Sequence, residues 1–261
     1  MKRIFLIVSY DGTKYCGWQK QQNGITIEEV LNKAVSDLTG EDIEVIGASR
    51  TDSGVHAMGN VAVFDTEMRM PAEKYSYAIN QRLPDDIRVQ YSCEVGDNWH
   101  PRKQNCFKTY EYTILNAKIN NPLMRFYTYF CYLDLDVDKM REATSYFIGE
   151  HDFKSFCTAT PQKKINTCRI IESIDIEQEE DLITIRICGN GFLYNMVRII
   201  VGTLIKVATG VYPPEHIKEI IASRNRMEAG PKAPAEGLAL LGIEYETDPE
   251  LSVKKHENPE E

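Results

Sequence analysis

The chain has 261 residues, 43% hydrophobic and 26% charged, with a formal net charge of −9 at pH 7. That length favours two ordinary domains over one and allows a sizeable core, and the balance excludes a disordered chain. No apolar run reaches the roughly 18 residues that a membrane helix needs; the longest candidate, residues 192–208, is broken by Asn195, Arg198 and Lys206.

Residues Arg3–Ser9 read as a buried strand. The apolar run is too short for a secretory core and Asp11-Gly12 follows it, so a cytoplasmic protein is expected. A polar loop with glycines covers residues 11–19. Thr26 and Glu29 spell a capping box for a helix that Gly40 ends. Strands are expected at Ile43–Ala48 and Val61–Phe64, joined by the loop 49–59, then a helix from Pro71 to about Arg82 and a strand at Ile87–Val95. The second half repeats this order loosely. Strands fall at Lys108–Leu115 and Tyr127–Leu133, a helix at Val137–Ile148, and a hairpin at Arg169–Ile176 and Leu182–Cys188. Helices follow at Phe192–Ala208 and Pro213–Ala222, with a last strand at Leu238–Tyr245. The expected fold is α+β: two similar α/β subdomains with mostly antiparallel sheets, helices on one face, and an active-site cleft between them. The domains are read as 1–104 and 105–246, followed by an acidic tail, 247–261, expected to be disordered.

The seven cysteines are scattered and never in Cys-x-x-Cys spacing, which argues against a disulfide framework and a thiolate zinc site. The net charge taken alone speaks against a nucleic-acid partner. Basic residues nonetheless gather at Arg102, Lys103 and Lys108, at Lys163, Lys164 and Arg169, and at Arg224 and Arg226, so a basic cleft on an acidic body is compatible with the sequence.

Loop 49–59 carries Arg50, Asp52 and His56 among small residues. Asp52-Ser53-Gly54 read alone is a turn. The loop is longer than a hairpin needs, and Arg50 stands two residues from the carboxylate. Asp52 and His56 as metal ligands would need partners that the other histidines do not supply at a recognisable spacing. Arg198 sits where apolar residues occupy most of a helix circumference; such a guanidinium needs an anion, whether a structural acid, Asp52 or a phosphate. Tyr110 and Tyr112 share one strand face, suited to the core or to stacking on a base. Glu236-Gly237-Leu238 opens the last strand. No Walker, GxGxxG or metal-ligand motif is present.

Residues Ser49–Val61 resemble the signature of the tRNA pseudouridine synthase A family, usually Gly-Arg-Thr-Asp-Ala-Gly-Val-His, with Ser49 and Ser53 as small-for-small departures. Further stretches, in family order, resemble it at 10–19, 100–102, 108–112, 152–156, 196–202 and 236–238. The resemblance implies isomerisation of uridine to pseudouridine at positions 38, 39 and 40 of the tRNA anticodon stem-loop, with no cofactor and no metal. It implies Asp52 as nucleophile, Tyr110 stacking on the target uracil, Arg50 and Arg198 serving the substrate, and Leu238 as apolar wall. It also implies a homodimer with tRNA across both subunits and no membrane. The competing readings are an RNA-binding module without catalysis and a metal-dependent hydrolase using Asp52 and His56. An arginine beside Asp52 would keep the carboxylate ionised, and a target hidden in a stem must be flipped out, at a few kcal/mol.

Overall fold

A computed structural model describes residues 1–158 and 166–249. The chain divides into two compact units, one of Met1–Cys106 with Leu240–Glu261, the other of Phe107–Ala239. Both are α+β.

The first unit opens with β1 (Lys2–Tyr10), α1 (Ile27–Thr39), β2 (Ile46–Gly47), β3 (His56–Thr66), α2 (Tyr75–Asn80) and β4 (Ile87–Val95). Strand β1 lies between β3 and β4, antiparallel to both, with Phe5 opposite Val63 on one side and Cys93 on the other. Its uninterrupted apolar run follows from this position, because both of its faces are covered. Phe64, opposite Ile4, meets Tyr75 of α2 edge-on at 5.6 Å, so that face carries the helix. The other face holds Phe5, Val61, Val63, Cys93 and Trp99. Helix α1 starts where the capping box puts it: Thr26 Oγ1 accepts from the Glu29 N–H, and Gly40 closes the helix at φ 76°.

Three expectations in this unit change. The strand expected at Ile43–Ala48 shrinks to two residues, because the Val45 N–H bonds the Asn32 side chain and not a neighbouring strand. The helix expected from Pro71 becomes a short 3-10 turn followed by α2. Strand β3 begins at His56, so residues 56–59 of the expected loop belong to the sheet.

The second unit contains β5 (Cys106–Leu115), whose first residue belongs to the other unit, then β6 (Tyr129–Phe130), α3 (Val137–Thr144), β7 (Gly149–Asp152), β8 (Cys168–Glu179), β9 (Leu182–Gly189), α4 (Met196–Ala208) and α5 (His216–Ser223). Strand β9 lies between β5 and β8, and β7 edges β8, all antiparallel; the short β6 runs parallel to β5. Eleven of the thirteen residues of α4 are buried, as its apolar circumference requires. It begins four residues later than expected, because Asn195 has φ 61° and cannot continue a right-handed helix backwards. Strand β6 is shorter than the run Tyr127–Leu133, and β7, which begins at Gly149 with φ 99°, has no counterpart in the sequence pattern.

The last strand, β10 (Leu238–Tyr245), crosses the division: Leu240 onward groups with the first unit, where the strand neighbours β3. The sequence places residues through 246 in the second domain, since chain order does not reveal that the last strand lies beside β3. The disorder expected at 247–261 falls, from Glu250 on, outside the described residues, as do Lys163 and Lys164.

Candidate active site

The expected site residues lie in both units, Arg50 and Asp52 in the first, Tyr110, Arg198 and Leu238 in the second. Each group is built by a different device.

In the first unit the segment 49–55 is clamped against the segment 10–18. Asn60, fully buried on β3, accepts from the Ser49 N–H at 3.2 Å and donates to the Ser49 carbonyl at 3.0 Å and to the Tyr10 phenol oxygen at 3.3 Å. The Tyr10 hydroxyl also shares a hydrogen bond with Thr51 Oγ1 at 2.8 Å, in which either hydroxyl can donate. Val8 stands opposite Asn60 and Tyr10 opposite Ala57, with a shift of register between them. The Trp18 N–H holds the Thr51 carbonyl, and the Gly54 N–H and Ser53 hydroxyl hold the Tyr15 carbonyl. Two glycines make the approach possible. A Cβ on Gly12 would come within 2.0 Å of the Val55 carbonyl oxygen, and one on Gly17, at φ 82°, within 2.6 Å of that of Thr51.

Asp52 stands between these anchors. Its carbonyl accepts from the Val55 N–H at 3.1 Å, with Gly54 at φ 79°, which is a turn with glycine at the position requiring positive φ. The backbone is therefore the turn that Asp-Ser-Gly suggests, and it presents a half-buried carboxylate from a fixed frame. Arg50 is exposed and donates to Gln19 Oε1 at 3.3 Å. Nearby Arg102 donates to the Gly47 carbonyl at 2.7 Å; its pKa is lowered, first by burial and then by the positive charge of Arg50. The two guanidinium groups therefore feel each other's charge, with Glu28 offsetting part of it at Arg102. His56 is buried, and its Nδ1 accepts from the Gly12 N–H at 3.1 Å. Among the described residues no three His, Cys, Asp or Glu side chains converge as a metal-binding group.

In the second unit the segment 229–237 is strapped onto α4 and β5. A Cβ on Gly202 would meet the Pro231 carbonyl oxygen at 1.8 Å, so the strap passes backbone to backbone over the helix. The Gly230 N–H donates to Thr203 Oγ1, the Ala233 N–H to the Arg198 carbonyl, and Arg198 Nε to the Ala233 carbonyl. Farther along, the Tyr112 hydroxyl donates to the Pro234 carbonyl and the Thr113 N–H to that of Gly237. The strap ends at Leu238, which is buried and donates its N–H to the Ala235 carbonyl. Arg198, 8% exposed, and Leu238 are thereby fixed to one another through a few residues of chain.

The two tyrosines of β5 divide their roles. Tyr112 is fully buried with its hydroxyl committed to Pro234, and burial drives its pKa far up. Tyr110, 8% exposed, packs edge-on against Phe192 with centroids 5.2 Å apart. The Tyr10–Thr51–Asn60 knot and the 229–237 strap escaped the sequence reading. Asn60 inside an apolar strand, and glycine at 202 inside an apolar helix, were the available signals.

The profile of the family described as tRNA pseudouridine synthase matches residues 6–102 and 143–246. The chain is 47% identical over 245 residues to tRNA pseudouridine synthase A of Thermoanaerobacter sp. (strain X514), covering 94% of this chain and all of that protein. It is 45% identical over 245 residues to tRNA pseudouridine synthase A of Acetivibrio thermocellus, with the same coverage. Among solved structures, one titled "Crystal Structure of a Cbf5-Nop10-Gar1 Complex" aligns with a TM-score of 0.35 at 12% identity, over 91% of this chain and 47% of that one, a likeness too low to carry an inference. Together with the clamped Arg50-Thr51-Asp52 segment, the profile match over both units makes the chain a member of the tRNA pseudouridine synthase family.

Proposed function

We propose that the protein converts uridine to pseudouridine at positions 38, 39 and 40 in the anticodon stem-loop of tRNA, with Asp52 as the nucleophile and without a cofactor. The observation that carries this reading is the immobilised turn at Asp52, one half-buried carboxylate in a segment anchored on both sides, in a chain of this family. The reaction cleaves the N1–C1′ bond, turns the base and joins C5 to C1′; the proton on C5 leaves and N1 gains one. No electrons are exchanged with an outside partner and no water is consumed. One carboxylate suffices because the leaving base is kept.

In this reading the buried Arg198 guanidinium serves the substrate, and a neighbouring guanidinium keeps the Asp52 carboxylate ionised. Tyr110 stacks on the flipped uracil, a contact worth roughly 1–3 kcal/mol. Leu238 walls the pocket against water, and Arg50 holds a phosphate or the displaced strand. The protein acts in the cytoplasm as a homodimer, each tRNA lying across both subunits.

The test is an anticodon stem-loop transcript carrying tritium at C5 of uridine, incubated with the protein in EDTA. Label release is expected from the parent, and Asp52→Asn should bind the transcript and release none. No release from the parent overturns the reading; full release by Asp52→Asn overturns the role of Asp52. Sedimentation at micromolar concentration checks the dimer.

A further inference from the structure

We propose that Asn195 reads the 2′-hydroxyl of a ribose at or beside the target uridine and so acts as a specificity-determining residue for RNA; this rests on the isomerase reading above. Asn195 occupies the N-cap position of α4, where an asparagine side chain ordinarily accepts from first-turn N–H groups. It makes no capping bond. Its backbone is left-handed, at φ 61°, a conformation that a non-glycine residue adopts at a cost. The residue is 7% exposed. Its amide nitrogen donates to Thr158 Oγ1 at 3.0 Å, and the Thr158 N–H donates to the Tyr194 carbonyl at 3.3 Å. The amide oxygen, shielded from solvent, has no hydrogen-bond partner among the described residues. A buried acceptor left open destabilises the fold, and among the described residues neither capping nor core packing accounts for it.

The position of the residue indicates what the open group serves. Asn195 precedes Arg198 by three residues, about one helical turn, and follows by three residues Phe192, whose ring meets Tyr110. The unmatched amide therefore belongs to the stretch of the second unit that carries one proposed nucleotide-binding residue and supports another. Either orientation of the amide leaves one end open: turned over, it would accept from the Thr158 hydroxyl and leave its NH2 unmatched. A phosphate oxygen only accepts and uracil N3–H only donates, whereas a ribose 2′-hydroxyl does both and suits either orientation. Because the open atom is shielded from solvent, the hydroxyl reaches it only when a covering side chain moves aside.

The test is a cycle between protein and substrate. Parent, Asn195→Gly and Asn195→Asp are compared on the C5-tritiated stem-loop with all-ribose backbone and with a single 2′-deoxy substitution at the target uridine or at either neighbour. Glycine suits positive φ and removes the amide; aspartate tolerates positive φ and keeps an acceptor, and it stands in should the glycine variant melt early. The parent should lose about tenfold in kcat/KM at one deoxy position, the worth of one hydrogen bond. Asn195→Gly should lose about the same on the all-ribose substrate and nothing more at that position. Asn195→Asp should keep most of the discrimination. A parent indifferent to all three deoxy substitutions, or a glycine variant that keeps the parent's deoxy penalty, overturns the proposal. Should the parent release no label, the isomerase reading fails by itself, and the same cycle read by stem-loop binding still decides the role of Asn195.

Discussion

Arg198 and Ala233 bond each other twice: the Arg198 carbonyl accepts from the Ala233 N–H at 3.0 Å, and the Ala233 carbonyl accepts from Arg198 Nε at 2.7 Å. The guanidinium thus enters the second unit's interior already oriented, with its Nε committed to the Ala233 carbonyl. A flexible ammonium cannot reproduce this fork. Arg198→Lys should lower stability by about 1–2 kcal/mol through the orphaned Ala233 carbonyl. Label release should fall at least about 100-fold, if the oriented charge serves the reaction. Urea denaturation and the tritium assay check the two effects separately; a variant with unchanged stability would mean that the Nε bond orients nothing.

Gly202 is where α4 and the strap touch. A methyl group there would overlap the Pro231 carbonyl oxygen, which a Cβ would meet at 1.8 Å, and the atoms it would meet are all backbone. Gly202→Ala, normally favourable in a helix by about 1 kcal/mol, should here destabilise by about 3 kcal/mol or more as the strap is forced away. Thermal melting of parent and variant gives the answer directly. A neutral or raised melting temperature would show that the strap yields easily, and Arg198 and Leu238 would then be less firmly held than their hydrogen bonds suggest.

The buried polar knot in the first unit makes a third case. Tyr10→Phe leaves the hydroxyl of Thr51 and one amide hydrogen of Asn60 each short of a partner, and both residues are buried. The expected loss is about 1–3 kcal/mol in the urea midpoint, accompanied by slower label release because Thr51 directly precedes Asp52. Retained stability with retained activity would mean that the turn is held by backbone bonds alone.

Local signals carried most of the elements. The Thr26–Glu29 box, the Gly40 stop, the span of β4 and the hairpin partners β8 and β9 are written within a few residues of where they act. What failed needed contacts distant in sequence. Ile43–Ala48 has strand composition, yet Asn32 takes the Val45 N–H before any ladder can. Residues 56–59 look like loop until β1 supplies a partner. Leu240–Tyr245 reads as the end of the second domain until its place beside β3 is known. At the site, Arg50, Asp52 and Arg198 stood out because charge among small or apolar residues demands a reason. Asn60 and Asn195 did not, since an amide in a sequence says nothing of whether its partners are present.

Cysteine chemistry offers a final test that is independent of RNA. Cys93, 8% exposed on β4, has its thiol pushed up to about 12 from an ordinary 9.0, chiefly by burial and secondarily by the negative charge of Asp248. Cys168, at the start of β8, is exposed. Reactivity follows the thiolate fraction and access, so iodoacetamide at pH 8 should label Cys168 rapidly and leave Cys93 untouched in the native protein, with peptide mapping reading the order. The same shift sets a sign for stability. Because the folded-state pKa lies above the unfolded one, the contribution of Cys93 is present in full below about pH 9. It declines as the pH rises toward about 12, since only the unfolded chain releases the proton in that window. Subtracting the urea stability of Cys93→Ala from that of the parent across this range isolates the effect. A difference that stays flat to pH 12, or Cys93 labelled as fast as Cys168, would show that the face of the sheet carrying Phe5, Val63 and Trp99 is open to water rather than closed over the thiol.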